Sequence, residues 1–248
     1  MKCSKKWFGA LLFLCWLVFG STPVWAYVSE GPCVDISNGN LKVSGFINSS
    51  EIDYNFEQEN RDDAEMEAER KIIGLSLTKA YSKNLDFYGT VGYLFDGSLK
   101  PEHADDYELD DGYFLSGGAR YMIHQSGNAT FHIFGQLDYI LEEKYSKTEN
   151  GIDRKVELDG YELSLGGAVR FQIDKNFATY ASLSFVPFSD LSYDYEGANG
   201  SADGDVERDD NLGFRLGASY LINREWSLRG EADFASDSAY VVSAGMRF

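Results

Sequence analysis

Beyond residue 26 this chain has no apolar run that reaches the ~20 residues a helix needs to cross a bilayer. It is also poor in proline (4), cysteine (3) and histidine (3). Cys3 and Cys15 fall in the first 26 residues, and only Cys33 follows them. A disulfide framework and a CxxC or Cys/His zinc site are therefore both excluded. Cations are scarce: 22 basic residues stand against 40 acidic ones, a formal charge of −18. That balance argues against nucleic acid, which is held by clustered cations. The three histidines, His103, His124 and His132, form no nucleophile–base pattern, and a general base needs a positioned partner.

What the first residues do contain is an export signal. Lys2, Lys5 and Lys6 precede an apolar run from Trp7 to Gly20, and Val24-Trp25-Ala26 offers small residues at the cleavage positions. Residues 1–26 are expected to be a signal peptide, and Leu14 before Cys15 argues against lipid attachment. Removing the three lysines of this segment leaves 19 basic against 40 acidic residues, about −21. Residues 27–40 show no clear period and read as a periplasmic lead-in.

From Leu41 onward the chain repeats with a period of two, the signature of strands with one apolar face. Leu41, Val43, Gly45 and Ile47 alternate. Ile52, Tyr54 and Phe56 then carry the apolar face on the opposite parity, which predicts a β-bulge near residues 49–51. Eight further segments alternate in the same way, among them Ile73–Tyr81, Phe87–Phe95, Phe131–Leu141 and Tyr161–Phe171. Tyr240, Val242, Ala244, Met246 and Phe248 make a closing strand, the tenth. Four connections are tight turns rich in Asn, Ser and Gly, near residues 82–84, 124–128, 173–176 and 223–225. Between them lie long polar segments at 57–70, 96–111, 142–155 and 188–210, read as external loops. A membrane protein without spanning helices must close a barrel, because every backbone amide has to be paired within lipid. Short turns on one side, long loops on the other and an even strand count are the pattern of such barrels. Outward-parity aromatics add to it. Tyr81, Phe87, Tyr121, Phe131, Phe171, Phe177, Tyr220, Trp226 and Phe248 all lie near a short turn or the carboxy terminus. Tyr54, Tyr93, Tyr113, Tyr139, Tyr161, Phe185, Phe214, Phe234 and Tyr240 would form the opposite girdle. A soluble sandwich or lipocalin-like barrel has no reason to place aromatics at both ends of its outward face.

The fold expected over residues 41–248 is thus an all-β, closed antiparallel transmembrane β-barrel of ten strands, with eight as the alternative. In this architecture, and in its final amphipathic strand ending in Phe248, the chain resembles the small opacity- and adhesin-like outer-membrane barrels of Gram-negative bacteria. The resemblance implies an outer-membrane location and lipid and lipopolysaccharide as neighbours. It also implies an extracellular ligand met by the loops, and a barrel assembly machinery that reads Tyr240, Val242, Met246 and Phe248.

The inward parity places Arg120, Arg170, Arg215, Arg229 and Arg247 in the lumen with Asp86, Asp138, Glu162, Glu231 and Asp233. Buried charges persist when paired, so an internal salt-bridge network closing the lumen is the first expectation. A narrow passive channel is the alternative. A rim hydrolase comes third: the omptin outer-membrane proteases place aspartate pairs and a His–Asp pair at the external rim, where only His103, beside Asp105 and Asp106, could reach. No cofactor is expected. The acidic run Asp203, Asp205, Glu207 and Asp209 is a weak candidate for oxygen ligation of calcium, set against a reading as a solvated loop.

Overall fold

The computed structural model describes residues 41–56, 64–101, 106–149, 152–197, 200–208, 211–234 and 238–248. The expected signal peptide, the lead-in and Cys33 lie outside the described residues, as do His103 and Asp209. The strands are β1 (Leu41–Phe56), β2 (Ala64–Ala80), β3 (Leu85–Pro101), β4 (Tyr107–Ser126), β5 (Ala129–Glu149), β6 (Ile152–Gln172), β7 (Phe177–Gly197), β8 (Gly200–Arg208), β9 (Leu212–Leu221), β10 (Trp226–Phe234) and β11 (Ala239–Arg247). Every strand pair is antiparallel. The sheet closes where β1 meets β11 in nine register pairs, from Lys42↔Arg247 to Ser50↔Ala239. Ten strands, β1–β7 and β9–β11, make the barrel wall, and β7 pairs directly with β9.

Each wall strand turns an apolar side chain outward at mid-height: Ile47, Leu75, Val91, Leu115, Leu137, Leu165, Leu183, Leu216, Leu228 and Val242. All are 43–66 % exposed. A continuous apolar ring of this kind is stable against hydrocarbon, not water. Exposed aromatics edge it, including Tyr81, Tyr121, Tyr220, Trp226 and Phe248 at the short-turn end and Tyr93, Tyr113, Tyr139, Phe214 and Tyr240 at the other.

Above the second girdle the wall changes. β9, β10 and β11 stop at Leu212, Phe234 and Ala239, whereas β1–β7 continue. β8 fills the gap, pairing with β7 (Leu191↔Val206 to Gly197↔Gly200) and with β1 (Tyr54↔Arg208 to Phe56↔Val206). The ten-stranded wall thereby narrows to a ring of eight, a size whose interior side chains just fill. The segments expected as loops are thus largely strand. Their alternation is apolar inside and charged outside, the reverse of the belt below.

That reversal corrects the expected bulge at residues 49–51. β1 runs in unbroken register against both neighbours, with even-numbered residues inward throughout. Lys42, Ser44 and Asn48 are inward at belt height, and Ile52, Tyr54 and Phe56 are inward above it. The parity never changes; the solvent outside the wall does. Tyr54 accordingly belongs to the core and not to the aromatic girdle, being 1 % exposed. Real register shifts occur near Lys71/Ile72, Tyr113/Phe114, Ile140/Glu143 and Leu163/Leu165, where other strands pass from belt to ring.

Inside the belt, rings pack on glycines of the adjacent strand. Phe46 covers Gly74, Phe114 covers Gly92, Tyr88 covers Gly118, Phe134 covers Gly166 and Tyr180 covers Gly217. A Cβ on each glycine would sit 1.9–2.5 Å from a ring atom. Missing side chains on one strand are thus occupied by aromatic ones from the next.

Candidate functional site

The lumen is the candidate site, and it has two chemically distinct levels. At belt height the expected charges face inward. Arg120 donates to Asp86 through Nη2 (2.7 Å) and Nε (3.2 Å). Arg215 grips Asp233 with Nε at 2.5 Å and Nη2 at 3.0 Å, and its Nη1 lies 3.6 Å from Glu231. Arg229 Nε is 3.4 Å from the other Glu231 oxygen, which also accepts from the Tyr180 hydroxyl. Two-point guanidinium–carboxylate contacts of this kind fix geometry as well as charge. Asp138 and Glu162 face each other in register on β5 and β6. Asp138 accepts from Gln136 Nε2 at 2.8 Å, and Glu162 from the Ser189 hydroxyl at 3.2 Å. Arg170 and Arg247 lie at the short-turn end, lining a cavity together with Arg229.

The upper level is a hydrophobic core drawn from the eight-stranded ring. It includes Ile52, Phe56, Ile72, Leu94, Leu99, Phe114, Ile140, Leu158, Tyr193 and Val206. Within it Arg70 Nε pairs with Glu143, with both side chains fully buried. Arg70 Nη2 donates to the Tyr54 hydroxyl at 2.8 Å, and its guanidinium lies 5.2 Å from the centre of that ring. Tyr145 donates to Glu143, and burial, with the Glu143 charge next in size, holds its phenol well above the usual range. Sequence reasoning missed Arg70, Glu143 and Tyr145 because they lay in supposed loops, and it turned Tyr54 outward into the aromatic girdle. The signal was nonetheless present: Ile52, Tyr54 and Phe56 alternate with Glu51, Asp53 and Asn55, and Val156 and Leu158 with Lys155, Glu157 and Asp159.

Outside the ring, Glu51, Glu67 and Glu69 bring their carboxylate oxygens within 4.8 Å of one another. Lys100 lies among them, donating to Glu67 at 2.9 Å and to Glu69. Desolvation first, and the neighbouring Glu67 charge second, raise the Glu51 carboxyl above its ordinary value. Hydrogen bonds to Glu69 and Glu67 raise the Lys100 ammonium in turn. The acidic run expected as a weak calcium candidate is described only in part. Asp203, Asp205 and Glu207 are exposed along β8 and are not among the carboxylates that converge within the described residues, and Asp209 lies outside them. Of the histidines, His124 is exposed at the short-turn end with its ring 6.1 Å from that of Phe131, and His132 is half-buried opposite Ala168.

No family model matches this sequence, and no curated protein matches it either. Solved structures do. The translocator domain of the autotransporter NalP from Neisseria meningitidis is similar at TM-score 0.53 and 14 % identity, covering 86 % of this chain and 90 % of that one. The outer-membrane protease OmpT from Escherichia coli is similar at TM-score 0.54 and 10 % identity, covering 90 % and 98 % respectively. Such identities show a common fold. Together with the apolar belt and its two girdles, that fold makes this chain an outer-membrane β-barrel, located in the outer membrane.

Proposed function

We propose that this protein is a closed barrel that acts at its outer surface, as a structural and surface-interaction protein. The observation that carries the reading is the dryness of its inward charges. Arg120, Asp138, Glu162, Arg215 and Glu231 point into the lumen at belt height yet are only 1–6 % exposed. In a water-filled pore of this diameter such side chains would be wetted. The apolar core of the narrowed ring lies on the same axis, so an ion would have to cross both levels. What the protein offers to the exterior is the outward face of β1–β8, where Glu51, Asp53, Glu67, Glu69, Glu157, Asp190, Asp194, Asp203, Asp205 and Glu207 outnumber the lysines. A face of one sign favours a partner of basic surface chemistry and steers its approach. Lipopolysaccharide is the neighbour at the upper edge of the belt in this reading.

Ion conductance of the refolded protein in a planar bilayer is the test. The expected record is silent at moderate voltage. Large, steady, anion-selective steps would defeat the closed-lumen reading and promote a passive channel.

A further inference from the structure

The external ring closes on a strand that is held unevenly. β8 meets β7 in seven register pairs but β1 in only three, whereas β1 and β11 close the belt below in nine. Of the inward positions of β8, Ala202 is exposed, Gly204 has no side chain to bury, and Val206 reaches the core. Burying one valine shifts an equilibrium about ten- to a hundredfold, a small hold for the strand that completes a wall.

The outward face of β8 also fits its neighbour poorly. Asp203 stands directly opposite Asp194 of β7, which stands opposite Glu157 of β6, so three carboxylates lie in a row across three strands. Lys144 Nζ is 3.9 Å from Glu157 at the far end of that row. Asp205, opposite Ser192, is diagonal to Asp194 as well. Like charges directly opposite weaken a strand pair, and opposite charges strengthen it. A strand with lysine at those two places would therefore sit between β7 and β1 better than β8 does. Without β8 the slot offers the backbone of Leu191–Gly197 on one side and of Tyr54–Phe56 on the other. Strand edges of this kind take up an extended peptide, whose main chain supplies affinity and whose alternate side chains supply specificity.

We propose that β8 is a displaceable strand, which the external ring exchanges for an extended basic segment of a partner protein with a small apolar residue at the Val206 position. This names the partner of the surface-interaction reading above and rests on that reading; it does not depend on whether the lumen conducts.

Thiol labelling of the refolded exported chain, with Cys33→Ser as background, tests the displacement. Val206→Cys and Val156→Cys compare two valines of one core, each 4 % exposed, the second on a strand paired on both sides through Tyr145 and Tyr195. A maleimide should modify Val206→Cys at least about tenfold faster, and equal rates overturn the proposal. A peptide of the β8 sequence 200–208 with Asp203→Lys and Asp205→Lys should raise the Val206→Cys rate saturably. It should do so at about a tenfold lower concentration than the unaltered peptide, the scale of repulsion turned to attraction at two positions. No saturable rise, or two peptides that act alike, also overturns it. Asn55→Cys with Glu207→Cys joins register partners that lie within disulfide reach and pins β8 to β1. Oxidation of that pair should abolish binding of the fluorescently labelled lysine peptide, and reduction should restore it. Binding that survives oxidation is adsorption on the acidic face, which overturns strand exchange and leaves the surface-interaction reading standing. Binding in neither state overturns the exchange and counts against a basic partner altogether.

Discussion

Removing Glu143 should open the external ring far more than its contacts with Arg70 and Tyr145 suggest. The side chain is fully buried against Arg70, and in Glu143→Ala the guanidinium loses that carboxylate while keeping its contacts with the hydroxyls of Tyr54 and Tyr145. A buried pair broken on one side costs about 3–5 kcal/mol, because the surviving charge stays desolvated. At 1.4 kcal/mol per power of ten, that is a loss of about two to three and a half powers of ten in opening equilibrium. The pair itself contributes much less. One Glu143 oxygen, Oε2, has no hydrogen-bond partner among the described residues, so the charge is incompletely compensated where it stands. Replacing both residues, Arg70→Met with Glu143→Leu, should therefore cost under about 1 kcal/mol or even stabilise. Hydrogen exchange of the amides around Leu158 and Tyr193, which the ring core protects, reads the local opening without requiring the belt to unfold. Trp226 emission at the far end checks that the belt is intact. The outward pair Lys71–Asp96, more than half exposed on both sides, serves as control, and its removal should leave exchange unmoved. If single and double replacements accelerate exchange equally, or the single one by less than tenfold, the ring is not held as described.

Three further outcomes are expected. Arginine at Leu75, Val91, Leu137, Leu165 or Leu216 should cost ~2–4 kcal/mol near the bilayer midplane in refolding titrations, and equal tolerance at the adjacent inward positions would refute the parity. Gly217→Ala and Gly166→Ala should each destabilise the belt by about 1–3 kcal/mol through overpacking against Tyr180 and Phe134, with unchanged urea midpoints counting against the ring-on-glycine packing. Glu51 binds its proton more tightly in the folded state than its ordinary 4.5, so the folded chain holds more protons and stability falls as pH rises from 4.5 through the raised value. Glu51→Gln should accordingly stabilise the external ring at pH 7 relative to the unmodified protein and lose that advantage at pH 4, measured by the same exchange experiment.

The belt was legible because lipid imposes one rule on every strand. Leu75, Val91 and Leu137 sit at a strict period of two, the aromatics gather at its ends, and the tight turns mark where the chain reverses. The inward arginines and carboxylates followed from the same parity. Their partners did not, because strand tilt staggers neighbours and only the register shows that Asp86 lies opposite Arg120. The ring above was misread for a physical reason. Apolar residues mark the outside of a wall in lipid and the inside of a wall in water, so Ile52, Tyr54 and Phe56 kept their direction while their meaning reversed. A bulge was the wrong inference from a correct observation. The acidic segments looked like loops because glutamate and aspartate favour neither strand nor core, yet each alternated with a residue that the core takes up.

The placement of β8 follows from the same inversion. Once β9–β11 end at the upper girdle, β1 and β7 would stand in water as bare edges, at Tyr54–Phe56 and Leu191–Gly197, each offering unpaired amides to any passing strand. Seven strands cannot close on themselves across the gap left by three. A strand returning from the fourth external segment satisfies both edges at once, since Val206 pairs with Phe56 on one side and Leu191 on the other. Its inward Val206 joins the core, and its outward Asp203, Asp205 and Glu207 keep the new surface charged. Those carboxylates are spaced as a strand's solvent face requires, and their like charge guards the new surface against pairing with other chains.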